Sequence, residues 1–279
     1  MILSRRHLVA AAVTAVTVVA AVGLSTRSGP TTDAAPAASV PASTGHHHAA
    51  GPAASGASGA PGGTLVVHAA DELRATLTTL VPTFEEAFPG VKVAVEYGTG
   101  HAGHILAGAP VDVFVSADAA ATAELAAHVR GSPTVVARNP IVIAVPKTAG
   151  TGVAGVTDLP DARVALCAET TPCGRRSRAA LDAAAVAVRP VSVEPDPATA
   201  LARVRAGTAD AALVYRTDVV AAGDGLRAID FAQAARIADE YTAVKVTTGA
   251  NTVGADAFVA FLGSALARHI FADTGLSPT

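Results

Sequence analysis

The chain has 279 residues, 51% hydrophobic and only 15% charged, and its 20 Lys and Arg against 23 Asp and Glu leave a net charge of −3. That balance excludes a disordered acidic or basic chain, which needs low hydrophobicity and high charge. It also excludes a nucleic-acid binder resting on a basic surface, since no basic stretch interleaves with aromatics. Aromatics make up 4% and Trp is absent, so Ala and Val carry the apolar fraction. Ala is a strong helix former and a weak hydrophobe, so the hydrophobic share does not by itself specify a membrane protein.

The N-terminus reads as an export signal. Ser4-Arg5-Arg6-His7 precedes residues 8–24, a run without any charge. A charged start followed by such a stretch is the pattern of an export segment. Paired arginines after a serine suit the twin-arginine route as well as the general one. An uncleaved anchor at 1–24 is the alternative, because the run is marginal against the roughly 20 apolar residues that span a bilayer core. Residues 25–63 are Ala, Pro, Gly, Ser and Thr with almost no large apolar residue, which reads as a disordered linker. Within it, His46-His47-His48 is either a loose transition-metal ligand set or a polar accident in a spacer.

From residue 64 the pattern becomes regular. Residues 64–70 read as a buried strand. Leu73, Leu77, Leu80, Val81, Phe84 and Phe88 then lie at the spacing of one helical face. Pro82 should kink or shorten that helix, and Pro89-Gly90 ends it. A strand at 91–95, a turn at 98–100, a short helix, a strand at 111–116, a helix at 119–129 and a strand at 141–145 follow.

The second half repeats this grammar. Strands are expected at 163–166, 191–194, 210–215 and 241–246, helices at 175–188 and 198–206, and one long amphipathic helix at 255–271. Strand–helix alternation over this length implies α/β architecture with mainly parallel sheets. Cys167 and Cys173 are the only cysteines. Two thiols so close in an exported chain are most simply a disulfide.

Turns at Ala70-Asp71-Glu72, Gly98-Thr99-Gly100, Pro172-Cys173-Gly174 and Asp196-Pro197 lead from strands into helices. Helix starts of this kind offer free N–H groups and a partial positive charge to an anion. Every α/β protein has such turns, so they do not identify a ligand. No nucleotide-binding glycine motif, Gly-x-Ser-x-Gly elbow or zinc-protease helix is present. No base–nucleophile pair is legible among His68, His101, His104, His128 and His269. An enzyme is not expected.

The run Ala107-Gly108-Ala109-Pro110-Val111-Asp112-Val113-Phe114-Val115-Ser116-Ala117-Asp118 resembles the periplasmic molybdate-binding proteins of ABC transporters. So does Gly207-Thr208-Ala209-Asp210-Ala211, leading through Leu213 and Val214 to Tyr215. Softer matches are Asn139-Pro140-Ile141 through Pro146, and Val164 to Cys167 with Pro172-Cys173-Gly174. The resemblance runs from about Leu65 to Gly275. It implies a two-lobed type II periplasmic-binding-protein fold with two hinge crossings. Lobe 1 would be 64–144 plus 246–279 and lobe 2 145–245, with hinges near Val142, Val145, Val244 and Val246. It further implies an extracytoplasmic solute-binding protein that holds molybdate or tungstate without any cofactor. The partner would be an ABC permease, the protein a monomer, and the membrane touched only through the N-terminal segment or the permease.

The same resemblance implies a ligand set. Tyr215 matches the family's ligand tyrosine and Cys173 falls where a main-chain N–H is donated. Pro197 stands where another such donor belongs, and proline has none, so that contact would pass to Ala198 or Thr199. Asp71 and Glu72 stand where the family's first loop carries a ligand serine. Gly100, flanked by Thr99, replaces a second serine. A carboxylate near a bound dianion is repulsive by about 4 kcal/mol per unit-charge pair at 4 Å with an effective dielectric of 20. Either Asp71 caps a helix with Glu72 turned away, or the ligand differs. The alternative ligand is a transition-metal cation or other small solute. Asp71, Glu72, His101 and His104 would supply its carboxylates and imidazoles.

Overall fold

The computed structural model describes residues 60–148, 150 and 152–279. The expected export segment at 1–24 and His46-His47-His48 lie outside these residues, as does nearly all of the expected linker. The first strand, β1 (Gly63–Ala69), alternates Leu65, Val67 and Ala69 into one core with Val66 and His68 on the opposite face. A single 3-10 turn leads into α1 (Arg74–Ala87), which buries Leu77, Leu80 and Phe84. Pro82 does not shorten it, contrary to expectation. Pro82 is exposed, so the carbonyl it leaves without a partner faces water, while the buried side chains hold the opposite face.

Strand β2 (Val91–Tyr97), α2 (His101–Leu106), β3 (Val113–Ser116), α3 (Ala119–Glu124) and the unanticipated β4 (Thr134–Asn139) follow. After Pro140 the chain enters a second sheet with β5 (Ile141–Pro146) and β6 (Val164–Cys167). Next come α4 (Pro172–Ala183), β7 (Ser192–Glu194), α5 (Pro197–Arg205), β8 (Ala211–Tyr215), α6 (Arg216–Ala222), β9 (Leu226–Ile229) and α7 (Ala232–Arg236). Strand β10 (Asp239–Lys245) returns to the first sheet, and α8 (Thr252–Leu262), α9 (Ala265–Asp273) and β11 (Ser277–Pro278) complete the chain.

The two sheets run β11-β4-β10-β3-β1-β2 and β7-β6-β8-β5-β9. Each is covered on both faces. The first packs on α1, α8 and α9 on one side and on α2 on the other. The second is sandwiched between α4 and α7 on one face and α5 and α6 on the other. The sheets divide at 140 and 238, not at 145 and 246 as expected. The crossing strands belong wholly to the sheets they enter, and Asn139, where β4 leaves the first sheet, is in register with Asp239, where β10 enters it. Asn139 also donates from Nδ2 to Thr217 Oγ1 at 2.9 Å, tying the crossing to α6.

The sheets are mixed rather than mainly parallel. β1 pairs in parallel with β2 and β3, and β6 with β7 and β8, but β5 and β10 run antiparallel to their neighbours. A strand arriving from the other lobe enters from the opposite end, which reverses its direction. The expected single helix at 255–271 is likewise two, bent by 63°. Gly263 closes α8, and Ser264 opens α9 by accepting from Ala267 N at 3.1 Å. No single helix among the described residues is long and apolar enough to cross a membrane.

Candidate functional site

Helix α4 begins three residues earlier than the apolar periodicity suggested. Pro172 occupies its first turn, where a missing N–H costs nothing, and Thr171 caps it by accepting from Gly174 N at 3.1 Å. Cys167 and Cys173 form the expected disulfide, which clamps the end of β6 to this first turn. Gly174 packs so tightly that a Cβ there would stand 2.1 Å from the Ala168 carbonyl oxygen. Only glycine permits that approach.

A cavity of about 380 Å³ opens beside this turn, lined by Pro172, Arg175, Arg176, Ala179, Tyr215 and Asp239. Tyr215 ends β8, and the half-buried ring donates its hydroxyl to Asp239 Oδ2 at 2.5 Å. Burial first, and the carboxylate of Asp239 second, push the phenol well above its ordinary range, so it acts as a neutral donor. Arg176 pairs with the other oxygen of Asp239. Arg176 and Asp239 were missed in the sequence. The available signal was an arginine pair in the first turn of a helix, where the macrodipole disfavours cations.

The other expected ligands stand apart from this cavity. Cys173 is buried beside Pro172 and does not line it. Pro197 does not line it either, and Thr199 N is already taken by the cap Asp196 at 2.7 Å, so Thr199 is not the spare donor expected beside the proline. Asp71 is not a helix cap. The cap position is Ala70, without a side-chain bond, and Asp71 accepts from Arg74 Nη2 at 2.7 Å. Arg74 in turn lies 4.1 Å above the Tyr97 ring. Thr99 and Gly100 are exposed at the start of α2, with Gly100 at φ 76°, a left-handed conformation that glycine adopts freely.

Glu72 acts at a distance. Burial raises the Asp218 carboxyl to about 6, and the charge of Glu72, from the other lobe, adds to that rise. Tyr241 is raised by burial first and then by Glu72. The negative charge of Glu72 is therefore felt at the crossing between the lobes.

The four expected metal ligands do not converge. Asp71 is held by Arg74, and the His101 and His104 rings are 6.2 Å apart. Among the described residues, the convergent set is His68, Glu96 and His101, each offering a ligand atom within 4.8 Å of the others. His68 and Glu96 lie side by side in register on β1 and β2, and His101 starts α2. Burial, reinforced by the neighbouring His101, holds His68 below the ordinary imidazole value.

Comparison with known proteins accords with this architecture. The molybdate-binding protein ModA of Mycobacterium tuberculosis is 30% identical over 220 residues, covering 77% of this chain and 84% of that protein. The substrate-binding domain of a molybdenum ABC transporter from Clostridium difficile superposes with a TM-score of 0.68 at 22% identity, over 77% of this chain and 99% of that one. The periplasmic molybdate-binding protein of Azotobacter vinelandii gives 0.55 at 19% identity, over 77% and 99%. Both structures share the two-lobed α/β fold. Residues 65–277 match the family model described as bacterial extracellular solute-binding protein. The chain therefore belongs to the bacterial extracellular solute-binding proteins, a family of exported binding proteins rather than enzymes.

Proposed function

We propose that this protein captures a tetrahedral oxyanion, molybdate or tungstate, between its lobes and delivers it to an ABC permease, performing no chemistry on it. The carrying observation is the cavity at the first turn of α4, where the neutral Tyr215 hydroxyl and the Arg176 guanidinium converge. First-turn N–H groups have no intrahelical acceptor, so the Cys173 N–H is an available donor beside them. The relatives described as molybdate-binding support the choice of ligand.

Arg176 sets the electrostatics of this cavity. A dianion here meets a positive charge, and the carboxylate that now holds both donors is Asp239. Ligand entry then requires Asp239 to yield Tyr215 and Arg176. Closure about the crossings near 140 and 238 brings in Thr99, Gly100 and the Asp71–Glu72 loop from the first lobe. Asp71 arrives already paired with Arg74, which reduces its repulsion. Pro197 drops out of the ligand set. The chain acts outside the cytoplasm as a monomer, with its N-terminal segment as signal or anchor.

Calorimetric titration with molybdate, tungstate and sulfate tests this reading. One equivalent of molybdate should bind, and Tyr215→Phe or Arg176→Gln should weaken it by about tenfold or more, the value of one charge-assisted hydrogen bond. Undiminished binding in both variants, or no oxyanion binding by the native protein, overturns it.

A further inference from the structure

A second site lies on the other face of the first sheet. His68 is 4% exposed and its Nε2 lies 3.2 Å from Glu96 Oε2. The His101 ring, also 4% exposed, sits 4.4 Å from the His68 ring, centroid to centroid. His68 Nδ1 and both ring nitrogens of His101 have no hydrogen-bond partner among the described residues. Buried polar atoms are ordinarily satisfied, because an unmade bond leaves their full desolvation cost standing. Two touching rings with such atoms, beside a carboxylate, therefore call for a shared partner, which would take one nitrogen from each ring.

We propose that His68, Glu96 and His101 form a binding site for a divalent transition-metal cation, with Zn²⁺ the reference ion. Two imidazoles and one carboxylate suit borderline cations such as Zn²⁺ and leave a further coordination position to water. Harder Mg²⁺ and Ca²⁺ prefer all-oxygen shells and are disfavoured here. The ligand atoms lie within 4.8 Å of one another. Zn–N and Zn–O bonds of about 2.0–2.2 Å require only a modest contraction from that spacing. Glu96 can supply it, since its side chain is 61% exposed and free to swing onto the ion.

None of the three residues lines the cavity at Tyr215, so this site is separate from the oxyanion site proposed above. It also differs from the cleft set of Asp71, Glu72, His101 and His104. An ion here would cross-link β1, β2 and the start of α2, fixing the 98–100 loop that leads into that helix. Its role is to brace the first lobe, whatever the cleft carries.

Titrating Zn²⁺ into the chelator-stripped full-length protein tests the site, alongside the same chain with His46, His47 and His48 replaced by alanine. One tight equivalent should remain in the triple-alanine chain. Glu96→Gln and His101→Ala should each weaken it by well over about 100-fold, beyond the roughly 10–100-fold that loss of an outer-sphere contact costs. Tyr215→Phe and Asp71→Ala should leave it unchanged. Glu96→Gln alters an exposed side chain and keeps the fold, so it stands if His101→Ala misfolds. Co²⁺ should give a visible absorption band that Glu96→Gln shifts or abolishes. Loss of the tight equivalent with His46–His48, its loss in Tyr215→Phe, or its persistence in Glu96→Gln overturns the proposal. Failure of molybdate binding bears on the cleft alone and leaves these outcomes readable.

Discussion

The Tyr215 hydroxyl of the second lobe donates to the Asp239 carboxylate at 2.5 Å, and Asp239 is the first residue of the strand that carries the chain back into the first lobe. The candidate ligand tyrosine is thus tethered to the crossing itself. Asp239 also pairs with Arg176, so one carboxylate holds both donors of the cavity.

Asp239→Asn should therefore bind molybdate more tightly than the native protein. Removing a negative charge next to a dianion relieves a repulsion of up to about 4 kcal/mol per unit-charge pair at 4 Å with an effective dielectric of 20. Solvent screening reduces that at this partly exposed site, and a gain of about tenfold is expected by calorimetry. Weaker binding would mean that Asp239 positions the donors rather than competing for them.

Gly174→Ala should strongly destabilise the second lobe. A methyl group 2.1 Å from the Ala168 carbonyl oxygen, and 2.6 Å from that of Cys167, cannot be accommodated without moving the backbone. Overpacking costs about 1–3 kcal/mol and occasionally more. In a domain of this size the thermal midpoint should fall by about 5–10 °C. An unchanged midpoint by calorimetry would contradict the close packing of α4 on the end of β6.

Asp218 predicts a pH dependence. Its folded value of about 6 lies above the ordinary carboxylate value, through burial. The proton-bound form is favoured in the folded state, so this stabilising contribution is full below about pH 4 and is lost as the pH rises through about 6. Asp218→Asn keeps an acceptor for the Tyr215 N–H and removes the titration. Denaturant midpoints should show the variant more stable at pH 8, by about 3 kcal/mol at most, with the difference vanishing near pH 4. Parallel pH profiles for the two proteins would refute this assignment.

The disulfide should leave no free thiol when the protein is denatured without reductant. Closing so short a loop constrains the unfolded chain by about 2 kcal/mol. Reduction, or paired Cys167→Ser and Cys173→Ser substitution, should lower the thermal midpoint by about 4–8 °C. Finding two thiols in the untreated protein would exclude the bridge.

Much of the fold is legible locally. Alternation in β1 and the apolar face of α1 appear in the chain as written, because each follows from the period of its own element. The β8 motif ending at Tyr215 is legible too, as is the Cys167–Cys173 bridge. The short edge strands and the break at Gly263–Ser264 are harder to read. A glycine closing one helix and a serine opening the next leave the apolar spacing almost undisturbed.

The candidate site divides in the same way. Tyr215 and the first turn of α4 are visible as motifs, whereas Arg176, Asp239 and the pairing of His68 with Glu96 are not. Asp239 lies 24 residues from Tyr215 and Glu96 lies 28 from His68, and neither carries a local pattern that marks it.

The order of residues by itself determined the α/β class, the family, the disulfide and the tyrosine at the end of β8. Each rests on short-range periodicity or on a contiguous motif. Only the tertiary structure decided where the lobes part, that Asp71 is held by Arg74, and that Asp239 occupies the donors of the cavity. It also decided that His68 and His101, with ring nitrogens left unsatisfied, meet beside Glu96. These are contacts between distant segments, set by sheet register and by the direction in which crossing strands enter, and no local stretch of the chain encodes either.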